Sequence, residues 1–351
     1  MISRKFFSLL ICFAILAQSA FAFETDQYNL SPVPLADIGD EVSEYAEQNI
    51  KEAIEKVNAK IAKSQACLEK QAGKNNCDSD AEERAKLNEL RAENTIIKEV
   101  FKPLGGGIPP YTNSGTWMEK HKFRNEPARF RTSFKKSIYY TAPVNYLTIS
   151  DTVRLYGIEF GTDKIAHIFQ QGFTYYKSFQ KNRAKGLSEK EAVKKAVNWG
   201  KFTENTYYGM LVGGVYSNAD LVANFAGMKF YENLTHEIKI GNETKPPILI
   251  LKNGFWAFNE NINVRDAILK PFITKHLNEA YNPSVYFNVF SFRNIIRRNV
   301  RRQACPQWKA NFPNLTQSDF KAETDSLNLW NGEDYGANLS KKRITIAETC
   351  F

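Results

Sequence analysis

The chain has 351 residues, of which 43% are hydrophobic and 24% charged, with a formal net charge of +9. That length admits one large domain or two ordinary ones. The balance of apolar and charged residues excludes a mostly disordered, collagenous or many-pass membrane protein. Five cysteines are too few for a small disulfide scaffold.

The first 22 residues read MISRKFFSLLICFAILAQSAFA. Arg4 and Lys5 form a basic start, Phe6 to Ala17 an apolar run, and Ala20-Phe21-Ala22 a small-residue cleavage site. This pattern predicts a signal peptide over 1–22, cut after Ala22, and a periplasmic or secreted protein. The apolar run is shorter than the roughly 20 residues a membrane span needs. Losing Arg4 and Lys5 takes two from the net charge and leaves +7. An exported basic chain is expected to meet an anionic membrane surface or a cell-envelope polymer, and no nucleic acid.

Without Cys12 the chain retains Cys67, Cys77, Cys305 and Cys350, an even number in an oxidising compartment. Cys67 and Cys77 lie in one region and Cys305 and Cys350 in another, so the expected bonds are Cys67–Cys77 and Cys305–Cys350. There is no CxxC and no cysteine–histidine cluster to suggest zinc.

The fold class expected is mainly α, with an antiparallel helical hairpin followed by a helical domain that carries a small β-hairpin. After an extended start, Ile50, Ile54, Val57, Ile61, Ser64 and Leu68 repeat at alternating spacings of four and three, a heptad seam. Gly73-Lys74-Asn75-Asn76 breaks it, and a second helix from about Ser79 carries Leu87, Leu90, Asn94, Ile97 and Phe101 on the same rhythm. The two matched seams predict the hairpin over 23–104, with Cys67 and Cys77 clamping its tip. Gly105-Gly106-Gly107 and Pro109-Pro110 read as a hinge and a boundary. The core domain is then 105–303. Ser188…Glu191 and Ser217…Asp220 are capping boxes that open helices running to about Met210 and Leu234. Asn253-Gly254 between apolar runs marks a β-hairpin near 248–258. Residues 262–303 read as two helices broken at Pro283, and 304–351 as a loop-rich tail.

One segment is dense in chemistry-bearing residues. Asp163 and His167 are four apart and share a helix face, while Lys164 projects about 100° away. The next helix carries Glu204, and the one after carries Asp220 and Asn224, again four apart. Short connections make the three helices antiparallel neighbours. The starts of the first and third and the end of the second then meet at one end, so Asp163, His167, Glu204 and Asp220 should converge.

These residues carry a resemblance. Asp-Lys-x-x-His from Asp163, a distant Glu204, then Ser-x-x-Asp-x-x-x-Asn-x-x-Gly from Ser217 is similar to the VanZ-like group of small bacterial envelope proteins. It also resembles predicted periplasmic lipoproteins with the same Asp-Lys-x-x-His start. The likeness covers about 75 of 351 residues, Thr162 to Leu234, on roughly seven positions. It implies a helical envelope protein of undefined activity. VanZ-like helices span a membrane, whereas these carry Lys177, Lys181, Lys194, Lys195 and Lys201, so a shared membrane topology is not expected.

Three roles stand open for the cluster. It is a structural set of paired side chains. Or it binds one divalent metal ion through Asp163, His167, Glu204 and Asp220, a donor set suited to Mg, Mn or Fe. Or His167 is a general base oriented by Asp163 or Glu204, with Lys164 and Asn224 holding an anionic group. A second candidate is the basic run Arg293, Arg297, Arg298, Arg301 and Arg302, with Arg297 and Arg301 as anion contacts. His121, His236 and His276 read as surface or packing residues. The tyrosine pairs 139–140, 175–176 and 207–208 suit either packing or carbohydrate stacking.

Overall fold

A computed structural model describes residues 24–69, 77–108, 111–141, 149–206, 208–211, 213–287 and 291–351. The leader, the turn at Gly73 to Asn76 and Pro109-Pro110 lie outside the described residues. The protein is mainly helical, with small two-stranded sheets. No helix among the described residues is long and apolar enough to cross a membrane.

Helix α1 (Gly39–Glu69) buries Val42, Ala46, Ile50, Ile54, Val57, Ile61 and Ser64, while Leu68 is half-buried. Ser64, the polar member of the seam, donates to Glu83 Oε2 at 2.6 Å. Glu83 lies on α2 (Asp80–Leu90), which opens on a capping box of Ser79 and Glu82. The expected second arm is two helices, because α2 stops and α3 (Glu93–Gly105) begins after an extended Ala92. The break resets the helical phase. Asn94 is exposed, and Ile96, Ile97, Val100 and Leu104 make the buried face. Groups far in sequence or past the break satisfy the last carbonyls of α2. Thr95 Oγ1 donates to Glu89 O (2.7 Å) and Trp256 Nε1 to Leu90 O (3.1 Å).

The Cys67–Cys77 and Cys305–Cys350 disulfides are both present, with Cα separations of 5.6 and 5.0 Å. The first closes a loop of 10 residues. Replacing Cys67 and Cys77 by alanine should therefore lower stability by roughly 2–3 kcal/mol, read as a lower urea midpoint. An unchanged midpoint would mean that the clamp constrains nothing.

Beyond α3, α4 (Asn113–Lys120) leads to a small layer of strands. β1 (Glu24–Thr25) pairs in parallel with β2 (Ile149–Ser150), and β3 (Thr152–Leu155) pairs antiparallel with β4 (Ile158–Gly161). A long helical stretch follows as α5 (Asp163–Ala166), a π-helical turn (His167–Gln171) and α6 (Gly172–Arg183). Helix α7 (Glu189–Asn205) opens on the Ser188–Glu191 capping box, β5 (Val215–Tyr216) is short, and α8 (Asn218–Asn233) is N-capped by Ser217. The hairpin of β6 (Leu249–Lys252) and β7 (Phe255–Phe258) turns through Asn253 and Gly254 at φ 52° and 81°, a two-residue turn that needs positive φ. It docks on α1, where the Asn58 side chain bonds both the N–H and the C=O of Trp256.

Two expectations fail beyond this point. Residues 262–303 are not two helices. They form the short α9 (Val264–Ile268), two 3₁₀ turns, β8 (Val285–Tyr286) paired with β5, and α10 (Phe292–Asn299) running into a second π turn at Val300–Ala304. Pro271 and Pro283 each remove a backbone N–H, and Asn278 and Asn282 offer side-chain bonds to backbone in place of a helix. The tail is not loop-rich throughout. It carries α11 (Cys305–Asn311), α12 (Gln317–Ser326), opened by a Thr316–Asp319 capping box, and α13 (Ile346–Cys350).

The main apolar core joins Ile50, Val57, Ile97 and Leu104 to Phe160, Ile168, Leu221 and Phe230. A second cluster joins Ile138, Val215, Tyr286 and Ile296 to Trp308, Phe320 and Ile344. Gly105, expected as part of a hinge, is a packing glycine. A Cβ there would lie 2.3 Å from the Phe169 carbonyl oxygen.

Candidate functional site

Helix α8 is buried along nearly its whole length, so its polar residues face inward by necessity. It crosses the α5–α6 helix with backbone against backbone. A Cβ on Gly172 would stand 2.5 Å from Gly227 Cα, and one on Gly227 would stand 2.0 Å from the Ile168 carbonyl oxygen. This close crossing falls at the π turn, a feature that often marks functional sites. It brings the start of α5 against the first turns of α8.

Lys164 is the centre of what results. Its side chain is 0% exposed, and its Nζ lies 2.6 Å from Asp163 Oδ2, Asp220 Oδ1 and Glu279 Oε1. Thr25 Oγ1 donates to the other Asp163 oxygen at 2.9 Å, and the Gln27 side chain accepts the Glu279 N–H. Ser217 Oγ accepts the Asp220 N–H at 3.1 Å, and Glu204 Oε1 accepts the Ser217 N–H at 2.9 Å. His167 stands at the edge, with its side chain 19% exposed. Its Nδ1 lies 3.0 Å from Asn224 Oδ1 and its Nε2 3.5 Å from Asp220 Oδ2. Asn224 Oδ1 can only accept, so Nδ1 carries the proton.

The charges divide along these lines. Burial disfavours the Lys164 ammonium, but Asp163, Asp220 and Glu279 outweigh it and hold the pKa well above the usual lysine range. Burial likewise opposes ionisation of Asp220, and His167 and Lys164 overcome it, so that carboxyl sits below its usual range. Glu24, Glu204 and Glu279 go the other way. Burial raises all three, and neighbouring carboxylates add to it, with Glu279 pushed up to about 7. Both Glu24 oxygens are buried without a hydrogen-bond partner. A buried carboxyl in that position is far better neutral than ionised. The centre is thus an ammonium facing two aspartates, with His167 against Asp220 and buried glutamates whose carboxyls are pushed up behind.

Of the residues expected to converge, Asp163, His167 and Asp220 do, offering one ligand atom each within 4.8 Å of one another. Glu204 is fully buried and turned to the Ser217 N–H, so it joins through Ser217 and not as a fourth member of that group. Two anion-binding expectations are corrected. Lys164 has its ammonium within 2.6 Å of three carboxylates and no exposure, so it cannot also hold an outside anion. Asn224 serves His167. Arg301 is exposed and Arg297 half-buried. His276 is buried and bonded to Leu329 O, and His121 and His236 lie against Glu41 and Glu93.

Glu24 and Glu279 were not legible as site residues. Neither lies in a motif, and Glu279 is 115 residues from Lys164. The one available signal was Lys164 itself, a lysine beside apolar Ile165 that, if buried, requires acids from elsewhere. Comparison with family models, with curated proteins and with solved structures yields no match to this chain.

Proposed function

We propose that this chain is an exported envelope protein whose centre is a histidine-dependent acid–base site acting on an anionic envelope substrate. Export is supported by the leader sequence and by two disulfides, which persist in oxidising compartments. The envelope setting rests on the Asp-Lys-x-x-His resemblance. The excess of basic residues favours an anionic substrate. The Cys67–Cys77 arm is read as an antiparallel support hairpin.

The observation that carries the acid–base reading is the place of Lys164. An ammonium sits where Asp163, Asp220 and Glu279 meet, at 2.6 Å from each. A divalent ion bound to those oxygens would lie against a like charge. The ammonium instead fixes Asp220, Asp220 faces His167 Nε2, and Asn224 sets the tautomer. His167 is the half-buried member of an otherwise buried set, so it is the group placed to exchange protons with a substrate.

A second reading is a metal centre at Asp163, His167 and Asp220, favoured by ligand atoms within 4.8 Å. Elemental analysis and ¹⁵N spectra of the imidazole separate the two. The acid–base reading expects no stoichiometric metal and a His167 ring protonated on Nδ1. One equivalent of metal that disappears in His167→Ala would replace it with the metal reading. On an anionic chromogenic ester that the protein hydrolyses, His167→Ala should lower the rate by about 10²–10⁴-fold.

A further inference from the structure

Helix α10 and the π turn after it carry a cationic face that the central site does not use. Arg298, Arg301 and Arg302 are spaced as a single helical face and are exposed. The opposite side, Ile296, Asn299, Val300 and Ala304, is buried in the second apolar cluster or bonded beneath it. Asn299 Nδ2 donates to Ile138 O and Tyr140 O, both at 2.8 Å, so the helix is fixed and its arginines are held outward.

Neighbouring segments extend the charge. Gln303 Nε2 donates to Lys135 O at 3.4 Å, and Arg293 Nε to Lys342 O at 2.8 Å. Lys135, Lys341 and Lys342 are exposed on these flanks. The ion pairs found among the described residues include none of these six cations. Most surface lysines and arginines of a folded protein sit among acids of similar number. Here Arg298, Arg301 and Arg302 stand together on one exposed helical face.

Apolar side chains stand beside it. Tyr140 is 38% exposed next to Asn299. Phe287, just after β8, is 43% exposed, and its N–H donates to Gly214 O, a glycine that also faces Phe292 at the start of α10. A soluble polyanion would be held by the cations alone. Cations flanked by outward aromatic rings match the headgroup layer of a bilayer, where the rings enter the interface and the arginines meet lipid phosphate.

We propose that this face docks the protein on an anionic lipid bilayer. The proposal does not depend on the acid–base reading of His167, and its test does not use activity. The probe is sedimentation with vesicles of equal parts phosphatidylglycerol and phosphatidylcholine, beside vesicles of phosphatidylcholine alone. Binding to the anionic vesicles is expected, with little to the neutral ones, and it should weaken as ionic strength rises. At roughly 1 kcal/mol per surface cation, the Arg298→Gln/Arg301→Gln/Arg302→Gln variant should bind about a hundredfold more weakly with an unchanged melting curve. Equal binding to both vesicles, or a triple variant that binds as well as wild type, would overturn the proposal. The aromatic arm tests the lipid itself. Phe287→Ser with Tyr140→Ser should weaken vesicle binding and leave binding to soluble polyphosphate unchanged. If the double variant loses neither, the face is a polymer site and the bilayer proposal fails.

Discussion

Lys164→Met should destabilise the protein by about 3–5 kcal/mol at neutral pH, the cost of breaking a buried ion pair by removing one partner. Methionine keeps the stem volume and deletes the charge, so packing changes little and electrostatics dominate. Asp163, Asp220 and Glu279 each lose a cation 2.6 Å away, at side chains with almost no solvent exposure. Those carboxyls then take up protons to remain buried. The deficit should therefore shrink as pH falls, because protonated acids no longer need the ammonium. Urea unfolding of wild type and variant at neutral and at acidic pH measures both effects. A deficit below about 1 kcal/mol would mean the ammonium is not what balances the cluster. His167→Ala should cost less, since its side chain is partly solvated and Lys164 remains on Asp220.

What the sequence disclosed follows from how far each interaction reaches. The seam of α1, the Ser188 and Ser217 caps and the Asn253-Gly254 turn are set by residues within a few positions of one another, and the pattern states them directly. Helix direction likewise placed Asp163, His167 and Asp220 at one end. The break at Ala92 was not legible because Trp256, 166 residues from Leu90, supplies the bond that makes it stable. Counting the seam across it put Asn94 on the wrong face. Lys164 misled for a different reason. Helical periodicity gives the direction of a Cβ, while a four-carbon stem carries the ammonium back to acids on other elements. Glu24 and Glu279 arrive through β1 and the segment before β8, and nothing local to either announces that it is buried. In the tail, the Thr316–Asp319 box was present but its acid is aspartate, and polar composition outweighed it.

Stability should fall as pH rises from about 5 to about 7, which reverses the usual behaviour of surface carboxylates. Burial first, then Asp163 and Asp220, push Glu279 from 4.5 up to about 7. Between those values the folded state holds a proton that the unfolded state has released, so raising pH favours unfolding. The contribution is fully present below the unfolded pKa near 4.5 and gone above about 7. For a side chain with no solvent exposure it is on the order of 3 kcal/mol. Glu24 and Glu204 are raised too and act in the same sense, so the three titrate as a linked set. His276 works against them, because burial lowers its pKa and acidification must charge it. Comparing wild type with Glu279→Gln removes that complication, since His276 is the same in both. The glutamine keeps an oxygen for the Lys164 ammonium and cannot ionise. Thermal unfolding of the two proteins across this range should show a steep decline in wild type and a shallower one in Glu279→Gln. Parallel curves would place the Glu279 proton outside the folding equilibrium and leave the glutamates behind Lys164 ionised at neutral pH, which the absence of any partner for Glu24 makes costly.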